Sequence, residues 1–262
     1  MKNLVICGDS FSIGIGCEDL YTESYGALLA KDLNLNLFNL AKGSSTNFSI
    51  YLQVKYAIEN YTDIDFLCIG TTCYNRVEWF KEGAKLDEFE IKNTMVNYHQ
   101  YPPYVGTLDK YEEHPMARDS RYTGEILTEN FNGVLDYLDL VKNNIPHDLD
   151  YVKKYNSEPI EKLKLLKDYY LNFRDVRIQR EYDNGVILMA HALLQHRGIK
   201  HLILINDNGL DNLIPTKNIM KLNWQEVAEK YPEKKWNHAS YKGHIEVFNM
   251  IKDKIQKENL LR

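Results

Sequence analysis

The first third of the chain alternates between short apolar runs and longer amphipathic stretches. A short apolar run that ends in small polar residues is typical of a strand buried in a parallel sheet. Such runs occur at residues 3–7, 36–41 and 65–70. Apolar residues at steps of four predict a helix over 48–61, and Thr22 as an N-cap predicts another over 22–33. This alternation predicts parallel strands whose carboxyl ends meet at one edge of a sheet.

The alternation is interrupted between residues 81 and 182. This segment is rich in Tyr, Asp, Glu and Lys, and it contains amphipathic stretches at 131–143 and 159–173. A structureless loop of that length is uncommon inside a compact domain. We therefore predict that residues 81–182 form an inserted helical subdomain or lid.

The alternation resumes after the insertion. A helix over 185–198 ends at a glycine, an apolar strand follows at 201–207, and a final helix covers 240–256. The sequence therefore predicts one α/β domain over residues 1–262. Its expected architecture is a three-layer αβα, flavodoxin-like fold with a mostly parallel sheet of about four to five strands and a long helical insertion.

Composition restricts the classes of partner. The 32 basic residues are scattered among 37 acidic ones, with a net charge of −5 at pH 7, which argues against a nucleic-acid surface. Apolar runs are too short for a signal peptide or a membrane span, so we expect a cytoplasmic protein without a membrane partner. The four cysteines lack zinc-site spacing, and His191 and His196 fall on different helix faces, so no metal is expected.

The first predicted strand breaks off at Gly8-Asp9-Ser10. A serine at the abrupt end of a strand presents its hydroxyl at the carboxyl edge of the sheet, and its backbone N–H points into the same space. Both features suit a nucleophile. The same three residue types are also ordinary choices for a turn, so the tripeptide alone leaves both interpretations open.

Three short blocks, taken in order, resemble the SGNH, or GDSL-type, hydrolase superfamily. They are GDSFS at 8–12, NLAKGSSTN at 39–47 and WNHASYKGH at 236–244. The resemblance covers residues 1 to about 80 and 185 to 260.

The resemblance implies specific roles for three residues. Ser10 would be the nucleophile and His238 its general base. The backbone N–H groups of Ser10 and Gly43 would form an oxyanion hole. The family chemistry needs no cofactor, and its substrate would be a small-molecule or glycan ester.

Two positions depart from the family pattern. Thr72 stands where the third block has an oxyanion-hole asparagine, so either Thr72 or the nearby Asn75 is the candidate third donor. Lys235 stands where the last block has the acid that orients the histidine. A backbone carbonyl, Glu233 or Asp207 would then hold the imidazole, so we expect a Ser-His dyad or an atypical triad.

Three polar residues in the predicted strand-end loops are candidate substrate-binding residues. Asp9 is expected to accept hydrogen bonds from the loop backbone, and Asn47 adds an amide. Arg76 is expected either to form a salt bridge with Glu78 or to meet an anionic group of the substrate.

The sequence thus predicts a serine esterase of SGNH type that cleaves a short acyl or acetyl ester, with esters on carbohydrate as one candidate class. Two alternatives stay open. Lys235 and Thr72 suggest a catalytically silent binding protein that keeps the fold. An acyltransferase would result if an alcohol, instead of water, intercepted the acyl-enzyme.

Overall fold

The computed structural model describes residues 2–43, 45–74, 76–80, 122–123, 126–130, 160–206, 210, 213–233 and 238–261. Its strands are β1 (Asn3–Cys7), β2 (Asn36–Asn39), β3 (Ile64–Gly70), β4 (Arg76–Phe80), β5 (Tyr122–Thr123), β6 (Ile126–Asn130), β7 (His201–Ile205) and β8 (Ile219–Lys221). Its α-helices are α1 (Ser10–Ile13), α2 (Leu20–Glu23), α3 (Tyr25–Leu33), α4 (Asn47–Asn60), α5 (Ile160–Asn172), α6 (Val176–His196), α7 (Trp224–Lys230) and α8 (Tyr241–Lys257). A 3₁₀ turn, Thr216–Asn218, precedes β8.

Five strands form a central sheet in the order β2-β1-β3-β7-β8, and every neighbouring pair in it is parallel. The predicted αβα fold with a parallel sheet of four to five strands is confirmed. In this order β1 lies between β2 and β3, so the loops that follow these three strands meet at one edge.

The sheet is buried on both faces, which explains why its strands are continuous apolar runs. Successive strand residues point to opposite faces. One face packs against α3, α7 and α8 through Leu4, Ile6, Phe66, Cys68, Leu202 and Leu204. The other face packs against α4 and α6 through Val5, Cys7, Leu67, Ile69, Ile203 and Ile205.

The helix predicted over 22–33 is in fact two helices. The Asp19 side chain caps α2 by accepting the Tyr21 N–H. Ser24 then adopts an extended backbone and caps α3 by accepting the Ala27 N–H at 3.2 Å. Thr22, the predicted N-cap, therefore lies inside α2. The side chains of Asp19 and Ser24 accept the N–H groups at the starts of the two helices instead.

The described parts of the predicted insertion are not all helical. β4, β6 and β5 form a separate antiparallel sheet, and the helical description is wrong for β5 and β6. The β-branched Ile126 and Thr128 suit a strand paired with β4. The helix predicted at 159–173 is confirmed as α5, whereas the one at 131–143 lies outside the described residues.

The predicted boundary at residue 182 falls inside α6, which runs without a break from Val176 to His196. The Asp175 side chain caps this helix by accepting the Arg177 N–H at 2.8 Å. The organisation as a single domain with an insertion over 81–182 stays a prediction. Among the described helices, none has the length and apolar character needed to cross a bilayer.

Candidate active site

Ser10 is the first residue of α1, directly after the turn that ends β1. Asp9 caps this short helix, and its Oδ1 accepts the Phe11 N–H at 3.1 Å. A side chain at Gly8 would not fit, because its Cβ would lie 2.2 Å from Ser12 Oγ. The sharp Gly-Asp-Ser turn therefore brings Ser10 to the carboxyl edge of the sheet, as the sequence predicts.

The imidazole of His238 meets this serine. His238 Nε2 lies 2.9 Å from Ser10 Oγ, although 228 positions separate the two residues in the sequence. The Ser10 residue is 8% exposed, so the hydroxyl is held in a largely buried setting. The distance is a hydrogen bond of the kind that joins a nucleophile to its base.

The segment that carries His238 is pinned to the residues before it by antiparallel backbone pairing. The Glu233 N–H donates to the His238 carbonyl oxygen at 3.0 Å, and the Ser240 N–H donates to the Tyr231 carbonyl oxygen at 2.8 Å. The Phe11 ring packs on the imidazole, with ring centroids 4.5 Å apart. Backbone pairing and ring packing therefore fix the position of His238, and they bring Glu233 beside it.

Gly43, the predicted oxyanion donor, is buried in the loop after β2. Gln53 of α4 links this loop to the loop after β1, which carries Asp9 and Ser10. Its Oε1 accepts the Gly8 N–H at 2.6 Å, and its Nε2 donates to the Gly8 carbonyl at 3.0 Å and to Ser45 Oγ at 3.2 Å. Gln53 was not among the predicted residues. Its only signal in the sequence is its position as a polar residue among the apolar ones of a helix that covers the sheet.

Asp9, Thr72 and Arg76 form one buried cluster. Thr72 Oγ1 donates to Asp9 Oδ2 at 2.9 Å, and Arg76 Nη2 lies 3.1 Å from the same oxygen. Arg76 Nη1 donates to the Ser45 carbonyl at 2.5 Å. Arg76 thus forms an ion pair with Asp9. The expected salt bridge with Glu78 stays a prediction, because the side chain of Glu78 lies outside the described residues.

Asn47, at the start of α4, connects the loop after β3 to α6. Its Nδ2 donates to the Thr72 carbonyl and to Asp183 Oδ2, both at 3.1 Å, and its Oδ1 accepts the Thr72 N–H at 3.0 Å. Burial raises the pKa of Asp183, and hydrogen bonds from the amides of Asn47 and Gln179 offset part of this rise. Asp183 was not among the predicted residues, since it follows the insertion and no local motif marks it.

Three predicted residues, Asn75, Asp207 and Lys235, lie outside the described residues. Among the described residues, Ser10 and Glu233 both contact His238, the first through its hydroxyl and the second through its backbone. The contacts of Asp9 join Thr72 and Arg76 to the residue before Ser10, and Thr72 joins Asn47 to them. Gly43 lies beside Lys42, whose backbone N–H donates to the Gly8 carbonyl at 3.1 Å.

Three of the other described histidines, His191, His201 and His244, are buried. His244 is fully buried, its Nδ1 accepts the Tyr25 N–H at 3.4 Å, and burial lowers its pKa to about 4. His191 is buried with its Nδ1 2.8 Å from His201 Nε2, whereas His196 is exposed, as expected for two histidines on different helix faces. No three His, Cys, Asp or Glu side chains in the described part of the chain gather closely enough to hold a metal ion.

No family model matches the chain, and none of the curated proteins matches it. Among solved structures, the chain is similar to a candidate lipolytic protein of the G-D-S-L family from Desulfitobacterium hafniense DCB-2. The two share 12% sequence identity with a TM-score of 0.32, over 97% of this chain and 99% of the other.

Proposed function

We propose that this chain is a serine hydrolase of SGNH type that cleaves a short acyl or acetyl ester. The observation that carries the proposal is the 2.9 Å contact between Ser10 Oγ and His238 Nε2. A serine hydroxyl is a weak nucleophile at neutral pH, and a base within hydrogen-bond reach activates it.

The reaction would proceed through an acyl-enzyme. Ser10 Oγ attacks the ester carbonyl carbon while its proton moves to His238 Nε2. The bond to the leaving alcohol then breaks, and His238 returns the proton to that alcohol. Water repeats the sequence on the acyl-enzyme, giving the free acid and restoring the serine.

The negative charge that develops on the carbonyl oxygen needs hydrogen-bond donors. We assign this role to the backbone N–H groups of Ser10 and Gly43. Gln53 supports both loops, because it bonds to Gly8 on one side and to Ser45 on the other. Asn75 or Thr72 would be the third donor. The single hydroxyl proton of Thr72 is donated to Asp9, so this residue could contribute only by turning away from that carboxylate.

His238 also needs a group that holds its ring in the reactive orientation. We propose Glu233 as the first candidate, because its backbone N–H bonds to the His238 carbonyl and so fixes the two residues side by side. Asp207 and a backbone carbonyl are the other candidates. The ring packing of Phe11 adds a second restraint on the imidazole.

The substrate class follows from the chemistry and the family resemblance alone. An acyl-enzyme formed by two side chains and backbone donors requires no organic cofactor or metal. Acetyl groups on a carbohydrate and short acyl esters are the proposed substrates, and an alcohol acceptor in place of water would give acyl transfer.

The proposal is tested by hydrolysis of p-nitrophenyl acetate and butyrate with the purified protein, Ser10→Ala, His238→Ala and His196→Ala. His196 is exposed at the end of α6, so its variant is the matched control. We expect losses of roughly 10³-fold or more in kcat for the first two variants and none for the control. Equal rates in all four proteins would favour the silent binding protein, which would then show saturable glycan binding that Ser10→Ala leaves unchanged.

A further inference from the structure

The guanidinium of Arg76 joins the three loops at the edge of the sheet. Arg76 itself begins β4, just after the loop that follows β3. One nitrogen of the group contacts Asp9 in the loop after β1, which carries Ser10 and is called the nucleophile loop below. Another donates to the Ser45 carbonyl in the loop after β2. The side chains of Arg76 and Asp9 are only 11% and 5% exposed, so this is a largely buried ion pair.

Asp9 carries a carboxylate one residue before the proposed nucleophile. Its described partners are the Phe11 N–H, the Thr72 hydroxyl and the Arg76 guanidinium. The first two are neutral, so Arg76 is the cation within this set of contacts. A carboxylate left without a cation in a buried setting would oppose a second negative charge developing close by, because water screens such charges weakly there.

We infer that Arg76 is a positioning residue for the reaction of Ser10. It cancels the charge of Asp9 and holds the loop of Gly43 and Ser45 against the nucleophile loop. This inference rests on the proposed function, since it assigns Arg76 a role in the same site. A residue of this kind changes kcat, whereas an arginine that bound an anionic group of the substrate would chiefly change KM.

The experiment compares Arg76→Ala, Arg76→Lys, Asp9→Asn and the double variant Asp9→Asn/Arg76→Ala. Arg177→Ala is the matched control, because Arg177 also pairs with an aspartate, at 2.7 Å, but is 90% exposed. We measure kcat and KM for p-nitrophenyl acetate, using preparations whose near-ultraviolet circular dichroism matches the parent protein.

We expect Arg76→Ala to lower kcat by about 10- to 100-fold with KM within about threefold. Arg76→Lys keeps the positive charge with one fewer hydrogen bond, so its kcat should lie between those of the parent protein and Arg76→Ala. Removing the Asp9 charge should rescue the loss, so the double variant should exceed Arg76→Ala by about fivefold or more. A purely structural tie to Ser45 would not be rescued in this way. Arg177→Ala should match the parent protein.

The inference is overturned if Arg76→Ala keeps kcat within twofold, if its effect lies in KM alone, or if the double variant is no faster than Arg76→Ala. Should Arg76→Ala not fold, the comparison uses Arg76→Lys and the double variant, which contains no unpaired buried charge. The double variant should then match Asp9→Asn within about fivefold, and a larger gap overturns the inference. A parent activity that Ser10→Ala does not reduce would instead refute the proposed function, and the role of Arg76 with it.

Discussion

A methyl group on Gly16 would come within 2.1 Å of the Ala239 carbonyl oxygen. Gly16 has a φ of +105°, and Ala239 directly follows His238 and pairs with Pro232. The loop after α1 therefore touches the segment of His238 with no room for a side chain. We therefore expect this contact to set how closely the imidazole approaches Ser10.

We expect Gly16→Ala to displace the His238 segment and lower kcat by about 10²-fold, because a shift of about 1 Å is enough to spoil reactive geometry. Gly198→Ala is the matched control. Gly198 also has a positive φ, of +66°, but nothing lies within 4 Å of its added methyl group. The control should lose about 1 kcal/mol of stability in urea unfolding and keep its kcat. Similar kcat values for the two variants would show that the contact does not position His238.

Glu233→Gln tests the proposed orienting acid. If the carboxylate of Glu233 holds the imidazole, the amide should lower kcat by about 10²- to 10⁴-fold, since the imidazolium loses its partner. Glu229→Gln provides the comparison, because Glu229 is an exposed residue of α7 that accepts a hydrogen bond from Gln225. An unchanged kcat in Glu233→Gln would transfer the role to Asp207 or to a backbone carbonyl.

Thr72→Val and Asn75→Ala separate the two candidates for the third oxyanion donor. The Thr72 hydroxyl donates to Asp9, so we expect its loss to lower kcat by about tenfold or less. Removal of a true oxyanion donor costs about 10²- to 10³-fold, which is the result expected for Asn75→Ala. Steady-state kinetics with p-nitrophenyl acetate measures the loss of kcat in each variant. A larger loss in Thr72→Val than in Asn75→Ala would assign the donor to Thr72, and Thr72→Ser should then retain activity.

The buried histidine of α8 should make stability depend on pH. Burial lowers the pKa of His244 from 6.5 to about 4. Between these two pH values the unfolded chain binds a proton at this histidine and the folded protein does not. The contribution of the neutral His244 to the free energy of unfolding is therefore complete above about pH 6.5, and it is lost as the pH falls toward 4, at about 1.4 kcal/mol per pH unit. Urea unfolding between pH 7 and 4.5 measures the slope.

His244→Gln should make the slope of the unfolding free energy against pH shallower by about 1.4 kcal/mol per pH unit, the value for one proton. His196→Ala changes an exposed histidine and should leave the slope unchanged. The lowered pKa values of His191 and His201 have the same sign and remain in both variants. The raised pKa of Asp183 has the opposite sign and likewise remains in both variants. Equal slopes in the parent and His244→Gln would contradict a neutral buried His244.

The strands were predictable because burial on both faces leaves an unmistakable apolar run, and β1 matches its predicted bounds. By contrast, β8 spans only Ile219–Lys221, which is too short to produce such a pattern. The division of the predicted helix into α2 and α3 at Ser24 was missed because several residues nearby are good N-caps. Local sequence determines only weakly which of them starts a helix.

The site was predictable only in part, and for a physical reason. A turn such as Gly8-Asp9-Ser10 is a local feature, so the sequence reveals it. The pairing of Ser10 with His238 joins opposite ends of the chain, and only the family resemblance indicated it. The contacts of Arg76 with Asp9 and of Asn47 with Asp183 depend on how separate loops meet, and no spacing in the sequence encodes them.

The central claim is that Ser10 is a nucleophile activated by His238. Its most direct test is covalent labelling with a fluorophosphonate, followed by peptide mass spectrometry. We predict one adduct on the peptide that contains Ser10, none in Ser10→Ala, and labelling at least about 10²-fold slower in His238→Ala. A folded protein that forms no adduct on Ser10, or that labels equally fast without His238, would contradict the claim.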